Sequence, residues 1–592
     1  MIKVNNQKAD SSASKNNDIS LETLPPYQPR RFVPAGLELT NRDSVAALYR
    51  QLADRPIDNT DQLEQWLADR SELEAAVAQC QSILYIRMTC QTDDPQRAAA
   101  YRTFMDTVVP AVKPLSDKLD RKWLLLTEQL QYQPPRYAVY SRTVRSDVQL
   151  YRDANVPLQT QDALLSQQYQ TLTGAMTVPF EGRIWPIVQM RKFLLETDRP
   201  LRQRAWMAAS RRYLQDKDQL DDIFDKMISV RSRIAENAGF SNYRDYKFRE
   251  YHRFDYTPQD CRQFHAAVRQ HLVPLLKEML GYRAKQMGLD KLRPWDLNTD
   301  PLGRAPLRPF ETTQQFAAGV YQMFAQLDRQ FGEGFRMMMD SGLLDLESRP
   351  GKAPGGYQST LYEARKPFIF MNAIGTNDDL RVLMHEGGHA FHTLACADEP
   401  LWAYRHAPME FCEVASMSME LLAGAHLSVC YDQAQRRRWW REQLETIVRT
   451  LVSVAVNDAF QHWLYEHPAH TPHQRNAQWL ALNQQYEDGI VDWSGLEDCR
   501  ASMWQRILHF YQVPFYYIEY GIAQLGALGI WLASLKNRQQ AIAQYKTALA
   551  LGGSRPLTEL FAAAGIPFDF SADTIKPLAQ AVRSQWMEYC IT

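Results

Sequence analysis

The chain has no C-x-x-C pair. Its eight cysteines, Cys80, Cys90, Cys261, Cys396, Cys412, Cys430, Cys499 and Cys590, are scattered over 592 residues. This excludes the dense disulfide framework of small secreted domains and the paired-cysteine zinc and redox motifs, and free, mostly buried thiols are expected. Also lacking is any uninterrupted apolar run approaching the roughly 18 residues of a membrane span. The first residues, Met1 to about Leu24, are polar and rich in Asn, Ser, Lys and Asp, without the apolar stretch of a secretory signal. A reducing cytoplasm, with no membrane partner, is the expected compartment. No charge dominates: 67 Lys and Arg face 68 Asp and Glu, so no overall field points to nucleic acid or acidic substrates, and partner choice must come from a local site.

What is present is an ordinary globular composition, 45% hydrophobic and 23% charged, on a chain too long for a single core. Apolar residues three and four apart predict helices over Ser44–Ala53, Thr60–Leu84, Gln96–Leu130, Asp162–Leu172, Pro258–Gln286 and Thr312–Met339, and the same style runs from Trp185 to Ala238. No repeat period is evident. Between about Asp290 and Pro309 the Pro, Asp, Gly and Asn content predicts a long loop with short strands near Trp295–Leu297. The run Gly351, Pro354, Gly355, Gly356 lacks phosphate-loop spacing and reads as a mobile loop. Pro367 to Asn372 then reads as a short buried strand, the clearest β signal in the chain.

After the strand, Thr376 and Asp379 have the spacing of a capping box that opens a helix through Leu380 to about Ala395. On it lies His385-Glu386-Gly387-Gly388-His389, the H-E-x-x-H arrangement. Residues four apart share a helix face, so two imidazoles converge on one ion, and zinc accepts such nitrogens at about 2.0–2.1 Å while leaving a position for water. Glu386 is placed to work that water. Two glycines inside a helix cost about 1 kcal/mol each relative to Ala, which a close approach of backbone or substrate would explain. A third ligand is expected on a neighbouring helix that starts at Pro408, where Glu413 lies 24 residues beyond His389. Glu410, one turn earlier, is either an outer partner of a ligand histidine or a plain exposed acid.

These residues resemble the zinc oligopeptidases that include thimet oligopeptidase and oligoendopeptidase F, the latter branch more closely. In that family a helix bearing E-x-x-S follows H-E-x-x-H at about this distance, matched here by Glu413 to Ser416. The similarity runs from around Leu48 to the C-terminus and is most specific between Tyr357 and Ala523. The family's late His and Tyr cluster resembles His509 to Tyr520, which implies that His509, Tyr517 and Tyr520 act on the developing oxyanion or grip substrate, with Tyr516 also touching substrate. Counted from the histidine, the tyrosines stand one residue closer than in thimet oligopeptidase, and Val513 or Pro514 occupies the place of its earliest tyrosine.

The resemblance implies a mainly α fold of zincin type, with two lobes around an internal channel. It comprises a polar tail over 1–24, a helical cover over 25–190 and a catalytic part over 191–592, with metal helices at about 378–396 and 408–427. It also implies one zinc ion per chain on His385, His389 and Glu413, Glu386 as general base, and cleavage inside short oligopeptides; manganese and cobalt stay open as alternative ions. An extended peptide is expected to pair with an exposed edge of the Phe368–Asn372 strand, with Gly356, Tyr357, Phe370 and Asn372 as substrate-binding candidates. A carboxypeptidase or dipeptidyl carboxypeptidase is the alternative enzyme, and a peptide-binding protein without turnover the alternative of another class. His392 reads as a packing residue or an outer partner of the site, His406 and His426 as structural residues, and the Arg436–Arg441 run as a solvated helix face with anchored tryptophans.

Overall fold

The computed structural model describes residue 21, residues 24–486 and residues 489–590. Most of the tail expected over 1–24 lies outside the described residues, but Leu21 is buried in the main core. The described chain is mainly α, with five short strands.

The first three helices, Arg42–Asp54, Thr60–Cys90 and Pro95–Gln129, begin where Asn41, Asn59 and Asp94 accept hydrogen bonds from first-turn main-chain N–H groups. Their apolar faces meet in a separate, smaller core built on Trp66, Leu63, Leu119 and Trp123, which Leu401 and Tyr404 join from far along the chain. The segment from Leu150 to Met190 packs with the larger core, which extends to Trp586.

Several local readings differ from the sequence pattern. Trp185 lies in a hairpin, not a helix: β1 (Thr177–Phe180) pairs antiparallel with β2 (Arg183–Pro186). Its turn places Glu181 and Gly182 at positive φ, as a two-residue hairpin requires. The loop after Asp290 forms a 3-10 turn at Pro294–Asp296 in place of strands, because buried Asp296 gathers Arg199, Arg202 and the Arg293 N–H. The predicted helix over Thr312–Met339 divides into Thr313–Leu327 and Arg329–Asp340 at Asp328, which caps the second piece.

The remaining strands form a three-stranded sheet in the order β3-β5-β4: β3 (Leu344–Glu347) runs parallel to β5 (Lys366–Ala373), and β4 (Tyr357–Leu361) antiparallel to it. The expected strand is present, but it is central. The edges of this sheet are β3 and β4, so the edge expected at Phe368–Asn372 is not there. Phe370 is fully buried, stacked at 4.9 Å on Tyr357 with Lys352 Nζ 4.4 Å from its ring. The Asn372 amide donates to the carbonyls of Ala353 and Gly355, tying down the glycine-rich loop. The Phe370 ring is thus committed to packing and not free to touch substrate, which corrects that assignment, while the half-buried Asn372 amide is engaged by the loop.

The helix Tyr517–Lys536 is long and apolar enough by composition to cross a bilayer, yet about two thirds of its apolar stretch is buried inside the molecule. It packs along the helix that carries Glu413. All eight cysteines are free thiols.

Candidate active site

The geometry of the H-E-x-x-H helix begins at its N-cap. Thr376 accepts from the Asp379 N–H, and Asp379 in turn accepts from Thr376 and Ile374 N–H, fixing the start of the helix Asn377–Ala395 directly after β5. That helix crosses Met409–Ala423 at very short range. A Cβ on Gly388 would lie 2.5 Å from the Ala415 carbonyl oxygen, and one on Gly387 would lie 2.6 Å from the Phe324 ring. The two glycines thus serve close helix–helix packing, and the approach brings Glu413 to the histidines.

His385 Nε2 and His389 Nε2 lie 3.4 and 3.9 Å from Glu413 Oε2, and one donor atom from each of the three residues falls within 4.8 Å of the others. Two imidazoles and a carboxylate at this spacing suit a catalytic zinc ion that retains an open position. Ser416 Oγ lies 3.0 Å from Glu413 Oε2 and steadies it. On the other side of the His385 ring, Nδ1 is 2.7 Å from Glu420 Oε1. Glu420 is buried and also held by Gln443 at 3.1 Å and Arg381 at 3.6 Å. A ring that donates from Nδ1 keeps its Nε2 lone pair for a metal.

The electrostatics follow from burial and these neighbours. Burial disfavours the His385 cation, but Glu420, Glu413 and Glu386 outweigh it and raise the group to about 9. His389, buried and beside His385, is held well below the usual range and stays neutral. Burial pushes the Glu386 carboxyl up to about 7 against the pull of His385, with the Gln358 main-chain N–H of β4 also favouring the carboxylate. An acid near neutrality beside two imidazoles has the property a proton carrier needs.

A second group of side chains arrives on the segment after Leu508. His509 Nε2 is 3.4 Å from the Tyr520 hydroxyl, and its ring packs against Tyr517 and Tyr516 at 4.7 and 5.9 Å. Burial holds the imidazole of His509 below its usual range, and therefore neutral. Burial raises the Tyr520 and Tyr516 hydroxyls, and the Glu413 charge adds to the rise in both. The Tyr517 hydroxyl turns instead to Asn457 and a cavity of about 390 Å³ lined by Leu276, Leu280, Val452 and Val456. The turn that aims these tyrosines contains Phe515 at φ 67°, a strain of about 1–3 kcal/mol for a bulky residue. Its N–H donates to Gln461 at 2.5 Å, and its carbonyl accepts from Arg253 at 2.6 Å.

A model of the peptidase family M3 matches residues 193–579, and one of the peptidase M3 N-terminal domain matches residues 32–132. The chain belongs to peptidase family M3. Among M3 relatives, oligopeptidase PepF of Bacillus subtilis is 26% identical over 50% of this chain and 44% of its own length. The chromosomal oligoendopeptidase F of Lactococcus lactis subsp. cremoris is 26% identical over 50% and 49%. The chain spans about half the length of the curated relatives it matches. The solved structure of PZ peptidase A with an inhibitor aligns over 94% of this chain and 99% of its own, with a TM-score of 0.84 and 26% identity.

Within this M3 chain, Glu410 meets neither His385 nor His389 and is not exposed. It is buried, accepts a hydrogen bond from the Tyr256 hydroxyl at 2.7 Å and lies 3.7 Å from Arg253, which also binds Glu519. The carboxylate on the His385 ring is Glu420's, two turns beyond Glu413, where a seven-residue spacing returns to the same helix face. That spacing was the available signal, though many helices carry such a pair. Tyr357, at the start of β4, has its hydroxyl 2.6 Å from Thr89 Oγ1 of the N-terminal helices, and Gly356 precedes it against Val382. His392 is buried beside Phe411, and His426 lies at the surface beside Gln326 and Arg538. Trp439 and Trp440 are buried, while Arg438 is paired with Asp300 and Glu442.

Proposed function

We propose that this chain is a metallo-oligopeptidase that hydrolyses internal bonds of short peptides, with one divalent ion, zinc by its ligand set, on His385, His389 and Glu413. The observation that carries this reading is the meeting of those three donor groups beside the buried Glu386 carboxylate. The ion, when bound, supplies a Lewis acid that polarises the scissile carbonyl and acidifies its water.

The chain's own groups do the rest. Glu386 takes the proton of the attacking water and returns it to the leaving amine, a contribution of about 10²–10⁴ in rate. Glu420 holds the His385 tautomer, and Ser416 holds Glu413. Tyr520 and neutral His509 donate to the carbonyl oxygen as it gains charge, with Tyr516 beside them. The free edge of β4, whose side chains Gln358 and Thr360 are anchored to Thr393 on the metal helix, pairs with an extended peptide through main-chain hydrogen bonds. The cavity beside Tyr517 takes an apolar side chain. The N-terminal helices, touching β4 through Thr89, restrict entry to short unfolded chains.

Incubating the full chain with a mixed peptide library, with and without chelator, and reading products by mass tests the whole reading. Internal cleavage that stops with chelator and returns with zinc is expected, including on peptides blocked at both ends. Removal of only C-terminal residues or dipeptides would assign a carboxypeptidase instead, and peptide binding without products would leave a binding protein.

A further inference from the structure

The four-residue spacing that joins His385 to His389 recurs twice on another pair of packed helices. Cys261 and His265 lie on Pro258–Gln286, and Asp458 and His462 on Gln433–Glu466. Because residues four apart share a face, all four side chains point into the seam between these helices. They are buried there, at 0, 7, 0 and 3% exposure respectively. The Cys261 sulfur, an Asp458 oxygen and a His462 ring nitrogen lie within 4.8 Å of one another. His265 Nε2 is 2.8 Å from Asp458 Oδ2.

Hydrogen bonding leaves this group incomplete. Among the described residues, Asp458 Oδ1 and both ring nitrogens of His462 lack a well-aligned hydrogen-bond partner, although His462 Nε2 stands 3.3 Å from Asp458 Oδ2 as an ion-pair contact. Buried polar groups are normally paired, and here a sulfur, a carboxylate oxygen and a ring nitrogen gathered around one point indicate what would satisfy them. On a tetrahedral ion with bonds of 2.0–2.3 Å, ligand atoms stand roughly 3.3–3.8 Å apart, a small inward rotamer adjustment from the observed spacing.

We propose that Cys261, Asp458 and His462 form a second, structural metal site, taking zinc or an ion of similar softness, with His265 orienting Asp458 from outside as Glu420 orients His385. Thiolate, imidazole and carboxylate together select zinc over magnesium or calcium. Binding converts the Cys261 thiol to thiolate and releases its proton to solvent. The position suggests the role. The His462 ring packs edge-on at 5.6 Å against Phe515, and Gln461 holds the Phe515 N–H, so the ion clamps the two helices behind the turn that carries Tyr516, Tyr517 and Tyr520.

The test separates this site from the catalytic one by its sulfur. The full chain carrying His385→Ala and His389→Ala, produced in zinc- or cobalt-supplemented medium, is analysed for metal by mass spectrometry. One ion per chain is expected, against two in the unaltered chain. The cobalt form should show a sulfur-to-cobalt charge-transfer band that nitrogen and oxygen ligands cannot give, and adding Cys261→Ser should abolish it. Where the serine variant does not fold, X-ray absorption on the zinc form of the double variant must show one sulfur neighbour. A double variant free of metal, or holding metal with no sulfur signature, overturns the proposal and leaves a metal-free His–Asp–His network.

Discussion

Glu420 Oε1 lies 2.7 Å from His385 Nδ1, and the same carboxylate is braced by Gln443 and Arg381. The His385 ring is therefore oriented from behind before any ligand approaches its Nε2. Replacing Glu420 by Ala is expected to weaken zinc binding about 10- to 100-fold, compared on the high-pH plateau where His385 is neutral in both proteins, while the fold is kept. Competitive zinc titration monitored alongside circular dichroism checks this, and unchanged affinity would remove Glu420 from the site.

Glu386 and its amide differ little in shape, so Glu386→Gln tests proton transfer with little change in packing. Metal content should stay at the wild-type level while kcat falls about 10²–10⁴-fold. Undiminished turnover would require another base.

The metal-free chain should take up zinc in a pH-dependent way. With His385 at about 9, the ring is protonated at neutral pH, and a proton must leave before Nε2 can bind an ion. Apparent affinity should thus rise about tenfold per pH unit and level off above about 9. A pH series of metal titrations reads the slope directly. In Glu420→Ala the plateau should begin at lower pH, because a neighbour favouring the cation is gone.

Gly388→Ala inserts a Cβ 2.5 Å from the Ala415 carbonyl. Overpacking at that crossing should cost about 1–3 kcal/mol of stability and weaken metal binding by spreading Glu413 from the histidines. Gly356→Ala is the control, since its nearest neighbours stand at 3.4 Å and the same measurement by denaturant unfolding should show little change.

Tyr520 and Tyr517 are separated by their hydroxyl partners, His509 for the first and Asn457 for the second. Tyr520→Phe should lower kcat about 10²-fold with KM little altered, as loss of an oxyanion donor does. Tyr517→Phe should act mainly on KM. The reverse pattern would exchange their roles.

Local pattern carried much of this reading. The helix over Pro258–Gln286, the capping box at Thr376 and the face shared by His385 and His389 depend on main-chain geometry that repeats every few residues. A single sequence displays such periods plainly. The strand at Pro367–Asn372 was legible for the same reason, but its central place in the sheet was not. Strand order depends on β3 and β4, which are short and carry little periodic signal. The hairpin at Glu181 and Gly182 was hidden because its turn lacks the usual Asn-Gly or Asp-Gly pair.

What the sequence determined by itself was the kind of chemistry available: two imidazoles one helical turn apart, a carboxylate beside them, and another carboxylate far enough along to return on a second helix. Which acid does which task was decided only in three dimensions. Glu410 and Glu420 are equally plausible in one dimension, yet the crossing permitted by Gly388 sends one to Arg253 and Tyr256 and the other to His385. The meeting of Cys261 with Asp458 and His462 across some two hundred residues belongs to tertiary structure for the same reason. Helix periodicity sets which side chains share a face, but only the packing of faces sets which of them touch.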